Sequence, residues 1–466
     1  MPPEALSRRS FTRLFAVSLA LPVLGNKAFA DTSKSAVSFA PKALADGEQK
    51  LRDFAAQYQT RVYEIVPNKV YQAVGYGHSN ATFIIGEQSV ILVDTLDSDV
   101  RGETLKKLIA EHTDKPVKTI IYTHGHPDHR GGAGVFADTQ PEVIAFAPVK
   151  PSLPRMNQLK DVFEQRGIKQ MGYELSDEEA LSQGYGIREG VALNRAKRAF
   201  LAPTTLYKNE TNIARNIDGV KIELIAARGE ADDMIYVWLP DYQAVCCGDN
   251  YSGCWPNTSP LRGGQSRDLD TWIASLDKLI ALNANALLLG HTRPVIGRTK
   301  IKAELTNFRN ALDYVFTETL NCINQGMSMD QAAETVRLPE KYAKLPYLGE
   351  YYGSVDWTVR GIYSLYVGWF DGNPTHIHPL PAKEKADKTI AMMGGEKAVL
   401  AAARDALNRQ DPQWAAELAD IVLASDGGNH AAKQHKAQAL LLLARGETSA
   451  NSRHYYVAGA KELIAK

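Results

Sequence analysis

A dense group of metal-binding side chains follows the apolar run VKTIIYTH, residues 117–124. The run predicts a buried strand, and the glycine-rich turn GHPDHRGG comes next. Three of the 11 histidines, His124, His126 and His129, lie within six positions here, together with Asp128. An extended strand end projects His124 and His126 to one side, and the turn directs Asp128 and His129 towards a second point. Since imidazole and carboxylate groups bind zinc, the pattern predicts two metal ions about 3.5–4 Å apart.

The alternative interpretation of this stretch is a solvated polar turn that caps a helix. Isolated histidines commonly lie in such turns, whereas three histidines at one strand end favour metal binding. Gly131 and Gly132 are expected to permit a tight turn into the following helix.

The flanking sequence predicts a layered α/β domain. Residues 81–96 read as two strands around a turn, and residues 98–113 read as a helix. Further strands are predicted at residues 219–227, 234–240, 242–248 and 284–291. Strands and helices that alternate through short connections are typical of α/β layers. The last of these apolar runs ends at His291, as the run before the cluster ends at His124.

The charge balance excludes several classes of partner. The chain has 53 basic and 53 acidic residues, so no net field attracts nucleic acid or an anionic membrane. The four cysteines have no CxxC or zinc-finger spacing, and we assign them no role.

The first 30 residues resemble an export signal. Arg8 and Arg9, the apolar run Leu14–Leu24 and the small-residue sequence AFA at 28–30 follow the order of a signal peptide. Paired arginines are typical of a twin-arginine signal, which a receptor reads and which is not an anchor. The run is too short to span a bilayer. The sequence therefore predicts a signal peptide at residues 1–30, a periplasmic location and no stable membrane anchor. The alternative is a basic N-terminus without a targeting role.

The C-terminal part is rich in Ala and Leu after residues 379–388. Helices are predicted at Glu396–Asn408, Gln413–Leu423, His430–Arg445 and Ser452–Ile464. The apolar stripes of such helices often pack against a second copy, which predicts a homodimer.

The pattern T-H-x-H-x-D-H after an apolar strand resembles the metallo-β-lactamase superfamily, whose fold is an αββα sandwich. Residues 229–250, GEADDMIYVWLPDYQAVCCGDN, are similar to the matching stretch of class III alkyl sulfatases of the linear primary-alkylsulfatase type. Residues 353–381 and 452–463 are similar to parts of the same enzymes that lead into and end their dimerisation domain. The resemblance implies an αββα catalytic domain at 35–382 and an all-α dimerisation domain at 383–466.

The resemblance also implies a ligand set for two Zn²⁺ ions per chain. The implied metal ligands are His124, His126, Asp128, His129, Glu230, Asp249 and His291. Glu230 falls on the third ligand of the His124/His126 ion, and Asp249 falls on the bridge, where we expect glutamate in the family. The four charges of two Zn²⁺ balance three carboxylates and one hydroxide, which supports the set independently.

Two further residues match the positions that hold the sulfate group in these enzymes, Asn257 and Arg262. Arginine forks across two oxyanion oxygens, and an amide donates beside it. The predicted catalytic residues are Asp128, Asn257 and Arg262. Arg267 lies where an acid is expected but cannot donate a proton at neutral pH, so no acid is named. Asn80 is interpreted as a turn residue.

The resemblance implies zinc-dependent hydrolysis of an alkyl sulfate ester by a metal-bound hydroxide, with cleavage of the carbon–oxygen bond. The expected partner is a small-molecule sulfate ester. Another ester hydrolase of the same fold, a β-lactamase, lactonase or phosphodiesterase, stays open, as does a metal-binding or docking protein that works through its helical tail. Arg262 favours an anionic ester over a neutral lactone. We expect this protein to lack the sterol-carrier-like domain that follows the dimerisation helices in well-known members of the family.

Overall fold

The computed structural model describes residues 46–149, 155–192, 195–264 and 267–464. The predicted signal peptide at 1–30 lies outside these residues. Among the helices of this part of the chain, none combines the length and the apolar character that a membrane crossing requires.

The described strands form two mixed sheets. The first sheet follows chain order: β1 (Arg61–Val66), β2 (Val70–Val74), β3 (Ala81–Ile85), β4 (Val90–Val93), β5 (Val117–Ile121), β6 (Glu142–Ala147) and β7 (Thr205–Lys208). Its strands are antiparallel from β1 to β4 and parallel from β4 to β7. The second sheet has the order β13-β12-β11-β10-β9-β8, with β8 (Ile213–Ile217), β9 (Val220–Ala226), β10 (Ile235–Leu239), β11 (Ala244–Cys246), β12 (Ala286–Leu288) and β13 (Val295–Ile296). Within it, β11 and β12 are parallel.

The α-helices of the described residues cover the outer faces of the sheets, form connections at the edge of the sandwich or lie in the C-terminal part. They are α1 (Gly47–Phe54), α2 (Asp99–Ala110), α3 (Pro127–Arg130), α4 (Lys160–Met171), α5 (Asp177–Ala180), α6 (Leu269–Ala281), α7 (Arg298–Asn324), α8 (Met329–Thr335), α9 (Glu340–Ala343), α10 (Val355–Tyr366), α11 (Ala382–Met392), α12 (Glu396–Asn408), α13 (Pro412–Ser425), α14 (His430–Gly446) and α15 (Ala450–Ile464).

Apolar side chains between the sheets explain why the strands read as nearly continuous apolar runs. Ile91 and Ile121 of the first sheet belong to the same buried cluster as Leu224 and Val237 of the second. The outer face of the first sheet is covered by α2 through Leu105. Since both faces are covered, strands such as β3, β4 and β10 are buried throughout.

The outer face of the second sheet is covered by helices from further along the chain. Trp272 of α6 and Phe308 of α7 pack in one cluster with Tyr236 and Val245 of the sheet. The layers are therefore helix, sheet, sheet and helix, which confirms the predicted αββα sandwich followed by an all-α region.

The C-terminal helices also agree with the prediction. Helix α12 has the predicted bounds, and α13 to α15 begin and end within two residues of them. Val399 and Leu418 lie in the shared core of α12 and α13. Helix α15 packs in addition against α4 and α5, where Val457 joins a cluster with Leu175 and Ala180.

The sequence analysis expected Gly131 and Gly132 to permit a tight turn into the helix, and this explanation is wrong. Gly131 has a φ of −66° and Gly132 a φ of −95°, so neither adopts a conformation that needs glycine. Space is the reason instead, because a Cβ would lie 2.0 Å from the Asp97 carbonyl oxygen at Gly131 and 2.2 Å from that of Thr95 at Gly132. The glycines let the cluster pack directly on the loop that follows β4.

Candidate metal centre

The histidine turn is held by a carboxylate that follows the neighbouring parallel strand. Asp94, just after β4, accepts hydrogen bonds from the Thr123 backbone N–H at 2.8 Å and from its hydroxyl at 2.7 Å. Asp94 also lies 2.8 Å from His129 Nδ1. A carboxylate on one ring nitrogen fixes the orientation of the ring and leaves Nε2 for a metal.

The first group of converging ligand atoms comes from three loops. It contains His124, His126, Glu230 and Asp249. Glu230 Oε2 lies 3.1 Å from His126 Nδ1 and 3.8 Å from His124 Nε2. Asp249 Oδ2 lies 3.7 Å from His124 Nε2. Arg267 forms an ion pair with Glu230 Oε1, so Oε2 is the oxygen available to a cation.

The second group of ligand atoms shares Asp249 with the first. Asp249 Oδ1 lies 3.2 Å from His129 Nε2, and Asp249 Oδ2 lies 3.0 Å from His291 Nε2. Asp128 Oδ2 lies 3.5 Å from His129 Nε2 and 3.7 Å from His291 Nε2. The structure therefore brings all seven predicted ligands together, with Asp249 between the two groups. We call these residues the metal cluster.

Several atoms of the metal cluster are buried without a hydrogen-bond partner among the described residues. They are His124 Nε2, His129 Nε2, Glu230 Oε2 and Asp249 Oδ1. Leaving one buried polar atom unpartnered costs about 1–3 kcal/mol. Nitrogen and oxygen donors that converge in this way fit a divalent cation such as Zn²⁺.

The charges of the metal cluster also favour a cation. Burial opposes charge on Glu230, but Arg267 and His126 outweigh burial and lower the pKa of Glu230 to about 2. Burial opposes charge on Asp249 as well, and the histidines of the second group hold its pKa well below the usual range. Burial alone would lower the pKa of His129, but nearby carboxylates, Asp249 most of all, raise it well above its usual value. Without a metal, the raised pKa keeps a proton on His129, and a cation bound there would displace it. Burial and the neighbouring histidines instead lower the pKa of His124 well below its usual value, so its ring is neutral.

The two predicted anion contacts lie in adjoining cavities beside the metal cluster. Asn257 is 2% exposed, and neither polar atom of its side chain has a partner among the described residues. It lines a small void together with Glu230 and Asp249. Arg262 lines a larger cavity of about 950 Å³, and Tyr352 borders both spaces. The structure thus places an unpartnered amide and a guanidinium next to the ligand atoms.

His78 is a site residue that the sequence analysis missed. It is 1% exposed, lines the large cavity and forms a ligand group with Asp128 and His291 in which the atoms lie within 4.8 Å of one another. Its Nδ1 lies 3.1 Å from the Ile187 carbonyl oxygen, which assigns the proton to Nδ1 and leaves Nε2 as an acceptor. Burial lowers the pKa of His78 to about 3. A single histidine in GHSNATF has no spacing signal that could have revealed it.

Two tyrosines were also missed. The Tyr185 ring lies 3.7 Å from the His291 ring and 3.9 Å from the Tyr352 ring, measured between centroids. Burial raises the pKa of both hydroxyls, so both are neutral hydrogen-bond donors at the cavity. No local pattern marks them, because their partners are distant in the chain.

Asn80 and Arg267 have structural partners. The Asn80 amide donates to the carbonyl oxygens of Leu289 and Thr292 at 2.9 Å each, so it holds the loop that carries His291. Arg267 donates to the Asn257 carbonyl oxygen as well as to Glu230. Arg267 therefore supports a ligand and an anion contact.

Comparisons with known proteins agree with this geometry. Residues 74–291 match the model of the metallo-beta-lactamase superfamily, and residues 328–466 match that of alkyl sulfatase dimerisation. A linear primary-alkylsulfatase of Pseudomonas sp. is 35% identical over 391 residues, which cover 81% of this chain and 73% of that protein. An alkyl/aryl-sulfatase of Saccharomyces cerevisiae is 31% identical over 410 residues, which cover 85% of this chain and 63% of that protein.

A solved structure is similar over most of the chain. The stereoselective inverting sec-alkylsulfatase Pisa1 from Pseudomonas sp. superposes with a TM-score of 0.81 at 27% identity. The match covers 91% of this chain and 68% of that one. The chain therefore spans between 63% and 73% of the length of these relatives.

Proposed function

The chain belongs to the alkyl sulfatase family of the metallo-β-lactamase superfamily, and we propose that it is a hydrolase that cleaves alkyl sulfate esters with two metal ions. The observation that carries the proposal is the buried amide of Asn257, which has no hydrogen-bond partner among the described residues and lies beside the metal cluster. A donor that is kept dry next to a cation site suits a substrate that brings an oxyanion to the metals.

Zinc is the proposed metal, with two ions per chain. The residues that would hold them are His124, His126 and Glu230 for one ion, Asp128, His129 and His291 for the other, and Asp249 between both. When bound, such ions supply Lewis acidity and lower the pKa of water towards neutrality. The mixed nitrogen and oxygen donors and the unpartnered buried atoms support this assignment.

The anion contacts would act on the sulfate group. The Arg262 guanidinium can donate two parallel hydrogen bonds to sulfate oxygens, and the Asn257 amide adds a third donor. Fixed donors stabilise the charge that develops as sulfate departs. Because sulfate leaves as a weak base, attack by water at carbon needs no general acid, and Arg267 is already engaged with Glu230.

The large cavity suits the alkyl part of the ester. Phe163, Ile168, Met171 and Val191 contribute an apolar part of its lining, and the ligand residue Asp128 lines the same space. Ligand cavities of about 300–1,000 Å³ with a few placed polar groups are typical of small-molecule sites.

Matched esters of one alcohol test the proposal. Octyl sulfate should be hydrolysed at least about a hundredfold faster than octyl phosphate or octyl acetate. Sulfate is a weaker base than phosphate and leaves carbon more readily, and the neutral acetate gives Arg262 no anion to bind. A preference for the phosphate or the carboxylate would indicate another ester hydrolase of this fold. Bound metal without hydrolysis of any ester would favour a docking protein.

Hydrolysis in ¹⁸O-labelled water identifies the bond that breaks. Attack at carbon puts the label in the alcohol and inverts a secondary substrate. Label in the sulfate would contradict attack at carbon. The relative Pisa1 is described as inverting, which supports this expectation.

A homodimer in the periplasm completes the proposal. The match to alkyl sulfatase dimerisation supports the dimer, as do exposed apolar side chains after α10, among them Trp369, which is 80% exposed. Light scattering at micromolar concentration should give twice the chain mass, and a monomer would contradict the dimer.

Fractionation of cells that express the full chain tests export, with the protein expected in the periplasmic fraction.

A further inference from the structure

The last helix of the chain lies against the wall of the large cavity. Helix α4 lines that cavity with Phe163, Ile168 and Met171, and Arg262 lines it from a different loop. Helix α15 packs on α4, so the C-terminal part of the chain contacts an element of the proposed active site. We call α4 and residues 260–264 together the cavity wall.

A chain of two hydrogen bonds connects α15 to Arg262 through α4. The Arg262 backbone N–H donates to Gln170 Oε1 at 2.8 Å. The Gln170 carbonyl oxygen lies 2.8 Å from His454 Nδ1. Gln170 and His454 are both completely buried, so water does not compete for the bond between them, whereas the bond to the half-buried Arg262 is only partly shielded.

A second contact runs from the next residue of α15. The Tyr455 hydroxyl lies 3.1 Å from the Arg166 carbonyl oxygen and 3.3 Å from that of Leu261. Its one proton serves either acceptor, and the two acceptors belong to the two parts of the cavity wall. The consecutive residues His454 and Tyr455 therefore hold both α4 and the loop of Arg262.

We propose that α15 positions Arg262 for the sulfate group, so that the dimerisation region is also a support of the active site. The inference rests on the proposed function in one respect, namely that Arg262 contacts sulfate. Gln170, His454 and Tyr455 are positioning residues here. They act through the backbone of Arg262 and its neighbour Leu261, and their loss should affect anion affinity more than metal binding.

Two conservative substitutions test the inference in the full-length, metal-loaded protein. Gln170→Met removes the acceptor of the Arg262 N–H at nearly constant shape, and Tyr455→Phe removes one hydroxyl. Tyr456→Phe is the matched control, because the Tyr456 hydroxyl makes no hydrogen bond to the described residues. Inorganic sulfate is the probe, with its Kd measured by calorimetry and its Ki by inhibition, beside kcat, KM and metal content.

A positioning role gives a specific pattern. Gln170→Met should raise the sulfate Kd and the ester KM about five- to tenfold, as expected for one lost buried hydrogen bond. Tyr455→Phe should raise them about two- to fivefold, because its hydroxyl is partly exposed. The kcat should fall as well, because Arg262 is also proposed to stabilise the charge on the departing sulfate. The metal content should stay at two per chain, and the control should keep wild-type values.

The outcomes separate the inference from the proposed function. An unchanged sulfate Kd in both variants, with metals retained, overturns the inference. If Gln170→Met does not fold, the Kd of Tyr455→Phe relative to Tyr456→Phe decides it. Sulfate that binds equally poorly to the wild type and to Arg262→Ala would contradict the proposed function, and the inference with it.

Discussion

The metal cluster and the cavity wall lie side by side, and the chain builds them in different ways. The ligands of the metal cluster follow strands of the two packed sheets, as His124 follows β5 and His291 follows β12. The cavity wall belongs to connections outside the sandwich, and α15 holds it through the contacts of His454 with Gln170 and of Tyr455 with Leu261. The metal cluster is thus placed on the packed sheets, and Arg262, the proposed sulfate contact, on the part that a distant helix supports.

The two regions also differ in what stabilises them. In the metal cluster, buried charges face one another, and a cation is the partner that completes them. In the cavity wall, the Arg262 backbone N–H and the Gln170 carbonyl oxygen already have protein partners. Changes in the metal cluster should therefore abolish metal binding, whereas changes in the cavity wall should alter affinity for the substrate.

Removal of the shared carboxylate should have the largest effect. Asp249→Ala should reduce the metal content below one per chain and kcat about a thousandfold, because both ligand groups lose a member. Elemental analysis and kinetics measure both quantities. Asp241→Asn is the control, since Asp241 is exposed, pairs with Lys221 and belongs to no ligand group. If Asp249→Ala retained two metals, Asp249 would not be a ligand shared by the two groups, and the contrast between the metal cluster and the cavity wall would fail.

Arg262 comes next, since it lies where the two regions meet. Arg262→Ala should lower kcat/KM for alkyl sulfates about a hundredfold through loss of a charged, forked donor, with both metals retained. Arg262→Lys should restore only part of the activity, because an ammonium lacks the planar fork. Full activity of the lysine variant would show that charge alone is recognised.

The effect of pH on metal binding should be smaller than the effects of the Asp249 and Arg262 substitutions, and it should be confined to the metal cluster. In the metal-free protein, Asp249 and Asp128 raise the pKa of His129 against the effect of burial, so a proton competes with the metal below that raised pKa. Affinity should therefore fall as the pH falls, about tenfold per pH unit for each displaced proton. A competing chelator measures this slope, which Tyr455→Phe should leave unchanged. A flat profile would contradict proton competition.

The smallest effect is expected at the surface of the α15 contact. Lys461 forms an ion pair of 2.9 Å with Glu179, but its side chain is 50% exposed. Lys461→Ala should change the free energy of unfolding by about 0–1 kcal/mol and leave the sulfate Kd unchanged. Urea denaturation and calorimetry measure the two quantities. A large rise in the Kd would extend the positioning role beyond His454 and Tyr455.

The sequence alone predicted the elements that have a local period. Strands β3, β4 and β5 and helices α12 to α15 were predicted because alternation, apolar runs and turn residues are local signals. The 27-residue helix α7 and the cavity helix α4 were not predicted. Helix α7 does have a local period that the sequence analysis did not use, because buried residues such as Ile301, Leu305 and Phe308 recur every three or four positions. Helix α4 has no such apolar stripe, since Gln170 is its one fully buried residue.

The candidate site divides in the same way. His124, His126, Asp128 and His129 could be predicted from spacing, because one strand end and one turn place them together. Glu230, Asp249, His291, Asn257 and Arg262 followed from the family resemblance, which carries tertiary information that spacing lacks. The structure brings these residues to the same edge of the sandwich.

The sequence by itself determined a strand that ends in metal-binding side chains, a charge balance without a field for nucleic acid, and a helical C-terminus. Only the tertiary structure decided that His78 joins Asp128 and His291, although it is 213 positions away from His291. It also decided that α15 reaches the loop of Arg262, where Tyr455 contacts Leu261 although the two residues are 194 positions apart in the sequence. Local periods arise from the backbone geometry of neighbouring residues, whereas such contacts depend on how whole layers pack.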